Sequence, residues 1–283
     1  MWNQSAVIYT NASDGSLLNH PSDVAIDSKQ NLYVADYYGS SRITKYFAST
    51  SNPPVTIILS NYISNLFVDK FDNLYFTTEA SVQMLNVSTG LVKTVAGNGE
   101  QGSALNQLNN PEGVYVDKNL TVYVSDYFNN RVTKWLPGAT TGIQVAGGNQ
   151  SGSSNSTLNG PRGIFVDEIN EKGAIYVCEW GNSRVVKWLS GAKEGIIVAV
   201  SPDPYSIIVD SNGIMYISDI STGLVVKWIR NSNAPQVVVG GDGTIGLPNG
   251  IKFDVNFNLY VADQVMSRVE KFFYEPSSCP NND

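Results

Sequence analysis

Short runs in which apolar and polar residues alternate recur along the whole chain. "GVYVD", "TVYVSD" and "RVTKW", between Gly113 and Trp135, are rich in Val, Tyr and Trp and are separated by Gly, Asn and Asp turns. That period of two, with that composition, predicts β-strands, and helical periodicity is nowhere sustained. The same triplet stands in "NHPSDVAIDSKQNLYVADYYGSSRITKY" (19–46), "NGPRGIFVDEINEKGAIYVCEWGNSRVVKW" (159–188) and "GLPNGIKFDVNFNLYVADQVMSRVEKF" (246–272). Weaker copies are "NLFVDKFDNLYFTTEASVQML" and "PYSIIVDSNGIMYISDISTGLVVKW", which makes six. The first Asp of each falls at Asp27, Asp69, Asp117, Asp167, Asp210 and Asp254, at intervals of 42, 48, 50, 43 and 44 residues. A tyrosine follows that Asp by 6 residues in five copies and by 9 in the fourth, where "EINEKGA" lengthens the turn.

A fourth alternating segment trails the copies, as in "VKTVAG", "GIQVAGG", "GIIVAV" and "PQVVVG". Four antiparallel strands per unit, repeated six times, predict an all-β, six-bladed β-propeller. The last copy runs out after "SRVEKFF", before its fourth strand, while "WNQSAVIYT" (2–10) precedes the first copy with the alternation of a fourth strand. The N-terminal strand is therefore expected to close the ring and remove its open sheet edges. One propeller over 1–275 and a short tail over 276–283 account for the sequence.

The repeated pattern, Pro-x-Gly-(hydrophobic-x)-Val-Asp, then Tyr-Val-x-Asp, then Asn-x-Arg-Val-x-Lys-aromatic, resembles the NHL repeat. It is strongest in the third, fourth and sixth copies and degraded in the second and fifth. The resemblance implies a propeller used as a binding platform, with some lyases and lactonase-like proteins among relatives on similar folds. It speaks to architecture more than to activity.

Composition narrows the function classes. Lys plus Arg number 18 against 25 Asp plus Glu, a net of −7, and most Arg belong to the repeat, so no basic face is left for nucleic acid. No apolar run is long enough to span a membrane, and no secretory leader stands at the start. Six sequons, at Asn3, Asn11, Asn86, Asn119, Asn149 and Asn155, favour an extracellular location if a leader was removed, although about five would arise by chance. Cys178 and Cys279 are expected to be free thiols, and the domain to be monomeric. The lone histidine, His20, excludes a His-rich zinc site; it is the only possible histidine of a Ser-His-acid set, and no such set is recognisable around it.

Candidate chemistry divides by whether it repeats. Asp36, Asp126, Glu179, Asp219 and Asp263 end the second strand of their copies, and Arg42, Arg131, Arg184 and Arg268 begin the third. A turn must be satisfied in every blade whereas a catalytic dyad is needed once, so these residues are expected to be structural, a carboxylate on the turn bridged by Arg. The aromatic strand ends Tyr46, Trp135, Trp188, Trp228 and Phe272 are expected to pack between blades. Binding information is expected where copies differ, on the face carrying the start of the first strand and the loop between the second and third. There Ser22, Ser64, Glu112, Arg162, Tyr205 and Asn249 occupy equivalent slots, followed by Asp23, Asn65, Gly113, Gly163, Ser206 and Gly250. The adjoining loops carry Tyr37, Tyr38, Tyr127, Phe128, Trp180 and Asn182. A protein or small ligand is expected on Glu112, Tyr127, Phe128, Arg162, Trp180 and Tyr205, with Arg162 as anionic anchor and Trp180 and Tyr127 as apolar walls. No catalytic residue and no cofactor are expected. The alternative is a calcium-dependent hydrolase or lyase of the lactonase-like propeller class, its oxygen ligands drawn from Asp23, Asn65, Glu112 and Asn249.

Overall fold

A computed structural model describes residues 2–10, 18–37, 41–48, 52–59, 62–148 and 150–275. The sequons at Asn11 and Asn149, Tyr38, Cys279 and the tail 276–283 lie outside them. Six four-stranded antiparallel sheets form a ring, a six-bladed β-propeller. The innermost strands are Pro21–Ile26, Leu66–Val68, Pro111–Val116, Pro161–Asp167, Pro204–Val209 and Pro248–Phe253, one to each of blades 1 to 6. The outer strand of blade 1, Val55–Leu59, supplies the fourth strand that the six-unit count requires but that no quoted segment located. In blade 6 that place is taken by Val7–Thr10, which pairs antiparallel with Arg268–Phe272. Trp2 reinforces the closure: its indole N–H donates to the Phe257 carbonyl at 2.9 Å, and its ring stacks on Phe253 at 5.7 Å.

The spacing of six between Asp and Tyr has a local cause. One oxygen of Asp27 accepts the backbone N–H groups of Lys29 and Asn31, which closes the turn between first and second strands. Its other oxygen accepts the Tyr33 hydroxyl at 3.0 Å, six residues on along the second strand. Asp69 repeats the set with Phe71, Asn73 and Tyr75, and Asp254 with Asn256, Asn258 and Tyr260. In blade 4 the longer turn carries Tyr176 out of step, and Asp167 Oδ2 is buried with no hydrogen-bond partner. Where the turn keeps its usual length, the carboxylate thus satisfies turn amides and anchors the tyrosine of the adjacent strand, which is why the two recur at a fixed spacing.

The core lies between blades rather than within any one of them. Trp135 of blade 3 packs with Val82 and Ala96 of blade 2, and Trp188 of blade 4 with Val132 and Ala146 of blade 3. Trp228 and Phe272 each meet the preceding blade in the same way, and Tyr46 meets blade 6 across the closure. Each sheet is apolar on both faces and buries them only against its neighbours. Among the described residues, no helix is long and apolar enough to cross a membrane. Cys178 is a buried free thiol. Asn3, Asn119 and Asn155 are exposed.

Candidate functional site

Each innermost strand begins beside the end of the second strand and the start of the third, as Pro111 pairs with Asp126 and Asp126 with Arg131. One face of the ring therefore gathers the first-strand starts and the loops between second and third strands. The residue before the turn proline takes a left-handed conformation in three blades, at His20, Asn110 and Gly160, with φ of 61°, 55° and 61°. His20 is accordingly a turn residue, its Nδ1 2.7 Å from Asn19 Oδ1.

Behind this face the acid and arginine pairs fasten loops. Asp126 and Arg131 meet at 2.8 Å, both fully buried. Asp126 also accepts the Asn109 N–H and the Asn129 side-chain amide, and Arg131 donates to the carbonyls of Ser103, Ala104 and Gln107. Arg184 binds Glu179 at 2.6 Å and the carbonyls of Ser153 and Ser154, and Arg42 binds Asp36 at 3.0 Å. Desolvation raises the carboxyl pKa of Asp36, Asp126 and Glu179, with the arginines and amide donors pulling the other way. Blade 6 departs from the expected bridge. Asp263 accepts the N–H groups of Gly246 and Leu247, while Arg268 turns to Glu270 and to the Thr244 carbonyl. The cause is Glu270, a buried acid where blade 3 has Thr133, which competes for the guanidinium.

The first slots converge on the channel mouth. Ser22, Ser64, Glu112, Arg162, Tyr205 and Asn249 line one cavity of about 180 Å³, with Tyr37, Tyr62, Ile220 and Gln264 completing its wall. Glu112 Oε1 accepts the Tyr62 hydroxyl at 2.6 Å and the Asn110 amide at 3.0 Å. Protein surrounds this carboxyl closely enough that desolvation raises its pKa, against the lowering effect of Tyr62, Arg162 and Asn110. Arg162 is already engaged. It binds Asp203 at 2.9 Å, and its guanidinium lies 5.0 Å from the Trp180 ring and 5.3 Å from the Tyr205 ring. An anion arriving at Arg162 would compete with Asp203.

Tyr127 and Trp180 open single 3₁₀ turns, Tyr127–Asn129 and Trp180–Asn182, each closed by a left-handed residue, Asn130 or Ser183. The turns bring the two rings to 6.3 Å beside Arg162. Phe128 packs edge-on against Tyr127 at 5.0 Å and is 60% exposed, so it stands on the outer rim rather than in the cavity. Five of the six expected binding residues are thus connected around Arg162 and the mouth. Tyr62 and Asp203 join them without a sequence signal. Tyr62 lies in the degraded second copy, which lacks the turn proline, and Asp203 in "SPDPYS" stands two residues before its slot.

The four oxygen carriers of the calcium alternative do not share one cavity. Glu112 and Asn249 line the mouth, whereas Asp23 and Asn65 line a separate channel cavity of about 60 Å³. Asp23 and Asn65 are spent on joining blades: Asp23 Oδ2 accepts the Asn65 amide at 2.7 Å and the Leu66 N–H at 2.8 Å, and Asn65 Oδ1 accepts the Val114 N–H. They stand where blades 3, 4 and 6 have glycine, and there the backbones come close; a Cβ on Gly113 would lie 2.5 Å from the Arg162 carbonyl oxygen. Burial pushes the Asp23 carboxyl up to about 7. Among the described residues, no three His, Cys, Asp or Glu side chains stand together as a metal site. A calcium ion, which takes six to eight oxygen ligands, finds no ready set in these four.

The fold and its turn chemistry define a class. The NHL repeat matches residues 18–46 and 108–135, and with the six-bladed ring these matches support an NHL-repeat propeller. Similar solved structures include a protein of unknown function from Bacteroides thetaiotaomicron, 14% identical, with 96% of this chain and 73% of that one covered at a TM-score of 0.72. A gluconolactonase from Xanthomonas campestris is 13% identical over 94% of each chain, TM-score 0.71. Virginiamycin B lyase from Staphylococcus aureus, solved with quinupristin, is 11% identical over 97% of this chain and 100% of its own, TM-score 0.66. Likeness at that identity establishes the fold alone. No curated protein matches the sequence.

Proposed function

We propose that the protein is a non-catalytic binding scaffold that takes a small polar ligand, or the protruding group of a partner protein, into the channel-mouth cavity. One observation carries this reading. Six equivalent positions whose residue type differs from blade to blade hold Ser22, Ser64, Glu112, Arg162, Tyr205 and Asn249 around a single cavity. The half-exposed rings of Tyr37 and Trp180 and the exposed Phe128 lie on the adjoining loops, and aromatic side chains beside a polar pocket are the usual anchors of recognition. A thermal-shift screen of small amines, hydroxy acids, lactones and sugars tests it. Ligands that stabilise the wild type by mass action are expected to lose their effect in Glu112→Gln or Arg162→Ala. Shifts that survive both substitutions count against the mouth.

A second reading, a hydrolase or lyase, is favoured by one feature: the desolvated Glu112 is hydrogen-bonded to Tyr62 and open to the cavity, as a general acid or base would be. The gluconolactonase and lyase names among the structural neighbours accord with it. Incubating lactones and cyclic depsipeptides with the protein, with and without calcium, separates the two. The binding reading predicts their recovery unchanged, and turnover lost in Glu112→Gln establishes the enzyme.

A further inference from the structure

The mouth cavity combines three tyrosine rings, one carboxylate with an unused oxygen, and a buried amide oxygen with no donor. Tyr37 and Tyr62 meet edge to face at 5.3 Å, and Tyr205 completes the wall. Both protein donors to Glu112 go to Oε1, which leaves Oε2 without a donor among the described residues. Asn249 is 2% exposed, lines the same cavity from blade 6, and its Oδ1 has no hydrogen-bond partner. Blades 3 and 6 are opposite members of a six-bladed ring, so the Glu112 carboxylate and the unpartnered Asn249 Oδ1 approach the axis from opposite sides.

We infer that this cavity is a cage for an alkylammonium group, held by the Tyr37, Tyr62 and Tyr205 rings and the Glu112 carboxylate, with Asn249 Oδ1 as a further acceptor. The inference rests on the mouth being the binding site and names the chemistry it selects. The electrostatic balance points the same way. Two carboxylates, Glu112 and Asp203, stand near one guanidinium, and Arg162 is neutralised by Asp203 and covered by Trp180 and Tyr205. The charge left unmatched is negative. The cation would face aromatic rings whose quadrupoles attract it, and the N–H of a protonated amine, or in choline the hydroxyl, would satisfy an acceptor that is costly to bury alone. Arg162 already occupies one side of Tyr205, so Tyr37 and Tyr62 carry most of that attraction. The size agrees: about 180 Å³ is the share of roughly six water molecules at ~30 Å³ each, room for a quaternary ammonium and its first carbons.

A pH dependence follows. The groups facing Glu112 are Tyr62, Asn110, Arg162, Tyr127 and Tyr205, and desolvation outweighs the donors and the guanidinium, so its carboxyl holds its proton to higher pH than usual. A cation binds the ionised form, so affinity rises with pH and binding releases a proton.

Calorimetric titration of the full chain with choline, at fixed ionic strength, tests this against two relatives of similar bulk. These are 3,3-dimethyl-1-butanol, which lacks the charge, and butyrate, which reverses it. Choline is expected to bind one to one and at least about tenfold more tightly than the neutral alcohol. Glu112→Gln and, as an independent loop variant, Tyr37→Ala are each expected to weaken choline about tenfold without lowering the melting temperature. Equal binding of choline and the alcohol, choline binding indifferent to both substitutions, or no saturable choline binding overturns the inference. Butyrate binding that is lost in Arg162→Ala also overturns it while leaving the mouth as the binding site. Choline binding abolished by Asp23→Asn in the channel cavity and untouched by Glu112→Gln removes both.

Discussion

Asp126 and Arg131 show what the repeat demands of single residues. The pair is fully buried, and every polar atom it brings inside is answered by the Asn109 amide, Asn129 or the carbonyls of the 103–107 loop. Removing one partner leaves the other charge uncompensated, so Arg131→Ala is expected to cost about 3–5 kcal/mol. Asp126→Asn with Arg131→Ala should cost less than the sum of the single changes, by roughly 0.5–3 kcal/mol in chemical denaturation. Strict additivity would show that the two do not act together. Glu270 makes a different prediction. It is fully buried, and desolvation, opposed by Arg268 and assisted by Asp263, pushes its carboxyl from an ordinary 4.5 up to about 7. Between those values the unfolded chain has lost a proton that the folded protein keeps, so stability falls as pH rises through that window. Asp23, raised to about 7, contributes with the same sign. The melting temperature should therefore decline from pH ~5 to pH ~7.5, and Glu270→Gln should flatten part of the decline. An unchanged slope would contradict the assignment. The repeated residues are legible in the sequence because their partners are local, six residues apart for Asp27 and Tyr33. Glu270 is not, since its consequence depends on a neighbour two residues away choosing it over Asp263.

At the scale of the strand, the N-terminal segment is the element on which the ring depends. Val7–Thr10 supplies the fourth strand of blade 6, and Trp2 buries its ring among Tyr216, Phe253 and Tyr274. Gln4 adds a donor to the Val238 carbonyl, which ties the segment to blade 5 as well. Deleting residues 2–10 exposes the edge of Arg268–Phe272 and is expected to lower the melting temperature strongly and promote association through that edge. A melt unchanged by the deletion would contradict closure through this strand. Alternation, together with a last copy one strand short, makes this element readable from the sequence alone. Val55–Leu59 is harder to read, because "SNPPVTIIL" places it after a proline-rich stretch and its copy carries no "VAG" ending. The 3₁₀ turns that aim Tyr127 and Trp180 are also hidden: three residues have no periodicity to read.

Over the whole molecule, strict repetition of turn chemistry holds six blades in register while the axis collects whatever the copies do not share. Comparing the copies with one another locates the first slots, and hence most of the mouth, since strand order alone fixes which loops share a face. It does not reveal that Asp203 occupies Arg162, or that Tyr62 meets Glu112 across a blade boundary, because both contacts depend on side-chain reach rather than on register. The claim that function resides at the mouth competes with larger openings elsewhere, notably the groove of about 380 Å³ between blades 4 and 5 lined by Tyr176, Lys187, Met215 and Arg230. Crystals soaked with a panel of small amines, acids and neutral polyols decide between them. Bound molecules are expected to concentrate in the cavity bounded by Tyr37, Tyr62, Glu112 and Asn249, with amines predominating there. Ligands clustering in the outer grooves, with the mouth empty across the whole panel, would contradict it.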